Sequence, residues 1–166
     1  MKPRIENPGQ NESVEQLQKE LAFRGGYYFK DFGALLTGLL GDLANSISYG
    51  ITTERKKNVG EMLNKIVGLY QSIPFEQITD HPDYDLFVQI REAIQKLIPE
   101  VEAVLSGEEK SVEKCDKLIK FIADKGREYN VRLRVILDKI RKQPGHENDL
   151  FSVVSPVDGK TWKIVF

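Results

Sequence analysis

From Ser111 to about Gln143, apolar residues return at helical period without a break. Val112, Cys115, Leu118, Ile119, Ile122, Gly126, Tyr129, Leu133, Ile136, Leu137 and Ile140 fall within one arc of roughly 120°. The phase survives Gly126, so one helix is expected, with Pro144-Gly145 as its stop. At 1.5 Å per residue, about 33 residues span ~50 Å. A compact chain of 166 residues has a radius of gyration of only ~15 Å. Such a helix commits the rest of the chain to pack along it, so an elongated bundle is expected.

The remaining segments supply its partners. Residues 1–12 hold Pro3, Pro8 and Gly9 among polar residues, the composition of a flexible N-terminal arm. Ser13 and Gln16 form a capping-box pattern ahead of Val14, Leu17 and Leu21, and Gly25-Gly26 closes that helix. A second helix is expected over 27–49, with Phe32, Leu36, Leu39 and Leu43 in its apolar stripe. Gly33, Ala34, Gly38, Gly41 and Ala44 form another face that a neighbour can approach closely. Thr52 or Thr53 caps a third helix that ends before Pro74. Pro82 stands near the first helical position of a fourth, whose stripe from Leu86 to Leu105 keeps phase across Pro99 and predicts one kinked helix.

The C-terminus alternates instead. Phe151–Val157 and Lys160–Phe166 flank Asp158-Gly159, a two-residue hairpin signal. That turn sets Phe151 opposite Phe166, Val153 opposite Ile164, and Ser155 opposite Trp162. The fold class is therefore all-α, an elongated bundle of four to five helices over 13–146, with a C-terminal β-hairpin over 147–166. A lone hairpin is marginal in water. Trp162, Ile164 and Phe166 are thus candidates for a protein interface.

Lys+Arg 24 against Asp+Glu 25 gives a net charge of −1, which excludes a wholly basic nucleic-acid binder and an acidic tail protein. Charge is nevertheless segregated. Residues 110–142 carry 11 Lys/Arg and 5 Asp/Glu, a net of +6, whereas residues 76–109 carry 2 Lys/Arg (Arg91, Lys96) and 9 Asp/Glu, a net of −7. Lys114, Lys117, Lys125, Arg132 and Lys139 lie opposite the apolar stripe of the long helix, and Arg134 flanks it. Such a row can track a phosphate backbone. Phe121, Val131 and Val135 project from the same side, where an aromatic among cations suits base stacking or a protein contact. A solvated face with those three residues covered by another element is the plainer reading of the same pattern.

Other chemistries find little support. Cys115 alone cannot form an internal disulfide, and with only His81 and His146 beside it the chain lacks a Cys/His metal cage. Its place on the apolar stripe marks a core thiol. No signal-peptide run follows Met1, so a reducing, cytoplasmic setting is expected. Asp80, Asp83 and Asp85 suit helix capping better than cation binding. Residues 32–51 carry one charge, Asp42, but their glycines and serines favour a buried helix over a membrane span. Phosphate-loop, serine-hydrolase and zinc-protease motifs are absent, and no cofactor is implied.

Two short resemblances bear on function. Arg141-x4-His146 resembles the Arg-x4–6-His motif of HEPN ribonucleases, in which His acts on the RNA 2′-hydroxyl; here Pro144-Gly145 intervenes. Ile51-Thr52-Thr53-Glu54-Arg55-Lys56-Lys57, running into a helix around Met62–Tyr70, resembles the helix start of the small helical subunit of type III CRISPR effector complexes. That resemblance covers about a third of the chain and implies a non-catalytic subunit lining a groove beside guide–target RNA. The expectation is a non-enzymatic binding subunit docking a basic helix face on RNA or a ribonucleoprotein. The alternatives are a helical oligomerisation or adaptor module, a HEPN-like ribonuclease, and a membrane-inserting effector.

Overall fold

A computed structural model describes residues 13–29, 32–150, 152–154, 159 and 161–163. Among them are five α-helices: α1 (Val14–Gly25), α2 (Phe32–Tyr49), α3 (Thr53–Gln71), α4 (Tyr84–Leu105) and α5 (Lys110–Arg141). The residues expected to form a flexible arm lie outside the described residues.

Local chemistry explains the helix starts. The Ser13 hydroxyl accepts from the Gln16 N–H at 3.1 Å, and Gln16 Oε1 accepts from the Ser13 N–H at 3.3 Å, which completes the capping box. Thr52, not Thr53, caps α3, its hydroxyl accepting from the Arg55 N–H at 3.1 Å. Helix α2 begins at Phe32, five residues later than the periodicity suggested. The Tyr28 N–H turns back to the Gly25 carbonyl at 3.0 Å, and Phe29 packs edge-on against Tyr70 at 5.8 Å. The aromatic run is thus taken up by a turn after two glycines rather than by a helix. Pro82 precedes α4 by two residues instead of opening it, and Asp83 holds the N-cap position without a side-chain capping bond.

Residues 29–129 and residues 130–166 with the N-terminal segment through Tyr28 form two compact units, and α5 contributes to each. In the first unit α2, α3 and α4 pack on one another. Their core includes Leu36, Leu39, Leu43, Val59, Ile66, Ile90 and Leu97, with Cys115, Ile119 and Ile122 from α5. The small-residue face of α2 is used at one point. A Cβ on Gly38 would stand 3.0 Å from the Met62 sulfur on α3, whereas Gly33 and Gly41 face open space. Helix α4 runs unbroken through Pro99, as its phase implied. Pro99 has no N–H, so the Gln95 carbonyl loses its helical donor. No described helix is long and apolar enough to cross a membrane.

In the second unit, α1 packs against β1 (Ser152–Val154), which pairs antiparallel with β2 (Thr161–Lys163). The register is Ser152 with Lys163, Val153 with Trp162, and Val154 with Thr161. It therefore differs by two residues from the one expected around an Asp158-Gly159 turn. A two-residue shift preserves which residues share a face, so alternation alone does not distinguish the two registers. Gly159 adopts φ 73°, a left-handed conformation that glycine reaches without strain. The full hairpin is not shown: Phe151, Asp158, Ile164 and Phe166 lie outside the described residues.

Candidate nucleic-acid interface

The basic side of α5 is laced with carboxylates one turn away. Lys117 pairs with Glu113 at 3.4 Å, Lys120 with Asp116 at 2.9 Å, and Lys125 with Glu128 at 3.4 Å; Arg127 pairs with Asp124. Lys114 reaches across to Glu100 of α4 at 3.9 Å. Exposed pairs within one helix, such as Lys117 with Glu113, contribute about 0.3–0.5 kcal/mol each, little enough for a phosphate to replace the carboxylate.

Between α4 and α5 runs a groove of about 490 Å³ lined by Lys96, Pro99, Glu100, Lys114, Lys117 and Leu118. A second hollow of about 190 Å³ shares Lys96 and Leu118 and is otherwise bounded by Gln89, Glu92, Ala93 and Phe121. The two hollows adjoin at these shared residues. Phe121 is 40% exposed, and the Lys125 ammonium lies 5.5 Å from its ring centre. Lys114, Lys117 and Phe121 are therefore brought together, with Lys125 attached through the ring.

Arg132, Arg134 and Lys139 belong to the other compact unit; Arg132 is half-buried, and Arg134 and Lys139 are exposed. Val131 and Val135 are 57% and 50% exposed, so neither is covered by a described element. The backbone of Trp162 lies in β2, and Ile164 and Phe166 fall outside the described residues.

Sequence reasoning missed Lys96, which stands on the acidic helix. It is exposed and has no ion pair among the described residues. Its spacing from Pro99 and Glu100, on the turn that faces α5, was the available signal. Next to Lys114 in the chain, Cys115 is fully buried, and burial together with the Glu100 carboxylate pushes its thiol up to about 11. A thiol so placed stays neutral and is no nucleophile.

The histidines occupy different settings. His81 is buried, and its Nδ1 accepts from the Asp83 N–H at 3.0 Å. Asp83 is buried while Asp80 and Asp85 are exposed, and no cluster that can hold a metal ion occurs among the described residues. In the other unit Arg141 and His146 converge despite Pro144-Gly145. Arg141 Nε donates to the Asp149 carbonyl at 3.0 Å, and His146 Nδ1 lies 2.6 Å from Asp149 Oδ2. An ionised carboxylate only accepts, so Nδ1–H is the donor in this contact, and Nε2 is the ring nitrogen turned away from Asp149. Asp149 gave no signal in the sequence, because its role depends on how the chain turns after α5. No protein-family model, curated protein or solved structure matches this chain.

Proposed function

We propose that this chain is a non-enzymatic RNA-binding subunit that receives a single strand in the α4–α5 groove. The carrying observation is the gathering of Lys96, Lys114 and Lys117 along one groove, with the exposed Phe121 in an adjoining hollow that shares Lys96 and Leu118. Phosphates take over the lysines from Glu113 and Glu100, and Phe121 stacks a base against Ala93 and Leu118. The resemblance of Thr52–Lys57 to the small CRISPR effector subunit supports a place within a ribonucleoprotein, and Cys115 suits a reducing cytoplasm.

Fluorescence anisotropy with labelled single-stranded RNA across a salt series tests the reading. Affinity is expected to fall with a log–log slope of about 0.7 per phosphate contacted. The double variant Lys96→Glu/Lys117→Glu is expected to bind at least tenfold more weakly. Unchanged binding in that variant sinks the proposal. No binding even at low salt shifts weight to an adaptor role, for which the exposed Val131 and Val135 are the natural contact.

The convergence at Asp149 favours a second reading, RNA cleavage. His146 Nε2 would take the 2′-hydroxyl proton as that oxygen attacks the adjacent phosphorus and the bond to the 5′-oxygen breaks, that oxygen taking a proton from water to leave as a hydroxyl and a cyclic phosphate remaining. RNA degradation that persists in His146→Ala eliminates it.

A further inference from the structure

The opposite flank of α4 holds a smaller cavity of about 210 Å³, between α3 and α4. Its apolar wall is Val67, Ile94 and Ile98, its rings are Tyr70 and Phe75, and its polar groups come from Arg91, Gln71 and Gln95. The guanidinium of Arg91 lies over Phe75, its central carbon 4.0 Å from the ring centre. Arg91 is half-buried, and its Nε is fully buried with no hydrogen-bond partner.

Arg91 sits in a segment that carries nine carboxylates, yet it has no ion pair among the described residues. A partly desolvated cation without a counter-charge is costly, and so is a buried N–H without an acceptor. The cation–π contact with Phe75 satisfies none of the guanidinium N–H donors, and the buried Nε–H is left without an acceptor. Burial holds the Tyr70 hydroxyl far above its ordinary range, so it remains a neutral donor rather than a competing anion. The Gln95 amide adds hydrogen-bonding capacity on the same helix face. The cavity therefore presents one positive charge, an N–H donor without an acceptor and an apolar wall.

We propose that this cavity binds a small organic monocarboxylate, its carboxylate on the edge of Arg91 and its apolar body against Val67, Ile94 and Ile98. Three features select that class. A planar carboxylate matches the guanidinium fork. A phosphate dianion brings a second charge for which the cavity has no cation. Drug-sized ligands occupy pockets of about 300–1,000 Å³, so the occupant is smaller than those. The inference is independent of the RNA-binding reading, since no lining residue is shared between the two clefts.

Calorimetric titration of the full chain with benzoate and with hexanoate tests it, using benzamide, hexanamide and inorganic phosphate as comparisons. Saturable binding of at least one carboxylate is expected, at least tenfold tighter than its amide. Arg91→Gln, checked for an unchanged circular dichroism spectrum, should weaken it at least tenfold. No saturation by about 10 mM of either carboxylate overturns the proposal. Amides binding as well as acids, phosphate binding as well as the carboxylates, or a folded Arg91→Gln binding as before also overturns it. Should Arg91→Gln fail to fold, the acid–amide comparison in the unaltered protein decides.

Discussion

Helix α4 has a cleft on each flank, and the two treat charge in opposite ways. Towards α5, Lys96, Lys114 and Lys117 line an open groove in which Lys114 and Lys117 have side chains 67% and 75% exposed and lie near carboxylates. Towards α3, a single Arg91 lies half-buried over an aromatic ring with no ion pair among the described residues. Counting charges would rank the first cleft far above the second. Solvation reverses that ranking per residue, because water and neighbouring carboxylates discount an exposed lysine, whereas a partly desolvated guanidinium keeps most of its field. Many weak, exchangeable cations suit a long polyanion that is held in many places. One strong, fixed cation suits a small ligand held in one.

The comparison assumes that both clefts rest on the same support. Leu97 is fully buried on α4, between the turns that line them. Leu97→Ala is expected to destabilise the protein by about 2–5 kcal/mol in urea unfolding, the range for a leucine deleted from a packed core. Binding at both clefts should then fail together as the temperature rises. If groove binding persisted well after cavity binding had gone, the clefts would have separate supports and α4 would not be their common wall.

A second effect probes the packing behind Glu100 through Cys115. Its thiol is raised from 9.0 to about 11, by burial first and by Glu100 second. A raised folded-state value means that the unfolded chain releases its proton first as pH climbs. The stability conferred by the neutral thiol is complete below pH 9.0 and is lost on the way to about 11. Relative to Cys115→Ala, the wild-type protein should lose about 1.4 kcal/mol between about pH 8 and 10, one pH unit of unmatched titration. A pH-independent difference would mean that water reaches the thiol behind Glu100. The two clefts would then differ less in solvation than their lining suggests.

How much of this was legible beforehand depends on the range of the interaction. The stripes of α3, α4 and α5 and the caps at Ser13 and Thr52 are local, and they stand close to where periodicity placed them. The start of α2 escaped because Phe29 trades helical phase for a ring contact with Tyr70, 41 residues further on. The strand register escaped because a shift of two leaves the alternation intact. At the site, Lys114, Lys117 and Phe121 were visible as one face of one helix. Lys96 and Arg91 were visible only as two cations in an acidic segment. What separates them is whether α5 or α3 stands opposite, and that is decided by packing over distances no sequence period encodes.

The smallest expected effect is the sharpest check on the groove. Lys114 and Glu100 bridge α5 and α4 at 3.9 Å, with the lysine side chain 67% exposed and the carboxylate 25% exposed. Glu100 Oε2 is buried without a hydrogen-bond partner, so the pair sits at the border between a surface bridge and a desolvated one. If solvent governs, a double-mutant cycle with Lys114→Ala and Glu100→Gln should return a coupling of about 0.2–1 kcal/mol. That coupling should shrink further as salt shortens the Debye length below its ~8 Å at physiological strength. Coupling of this size leaves Lys114 free to exchange Glu100 for a phosphate at little cost. A coupling near 3 kcal/mol that salt did not touch would place the pair among buried bridges. The lysine would then be a structural cation locked to α4, and the groove would hold its charges as tightly as the cavity holds Arg91.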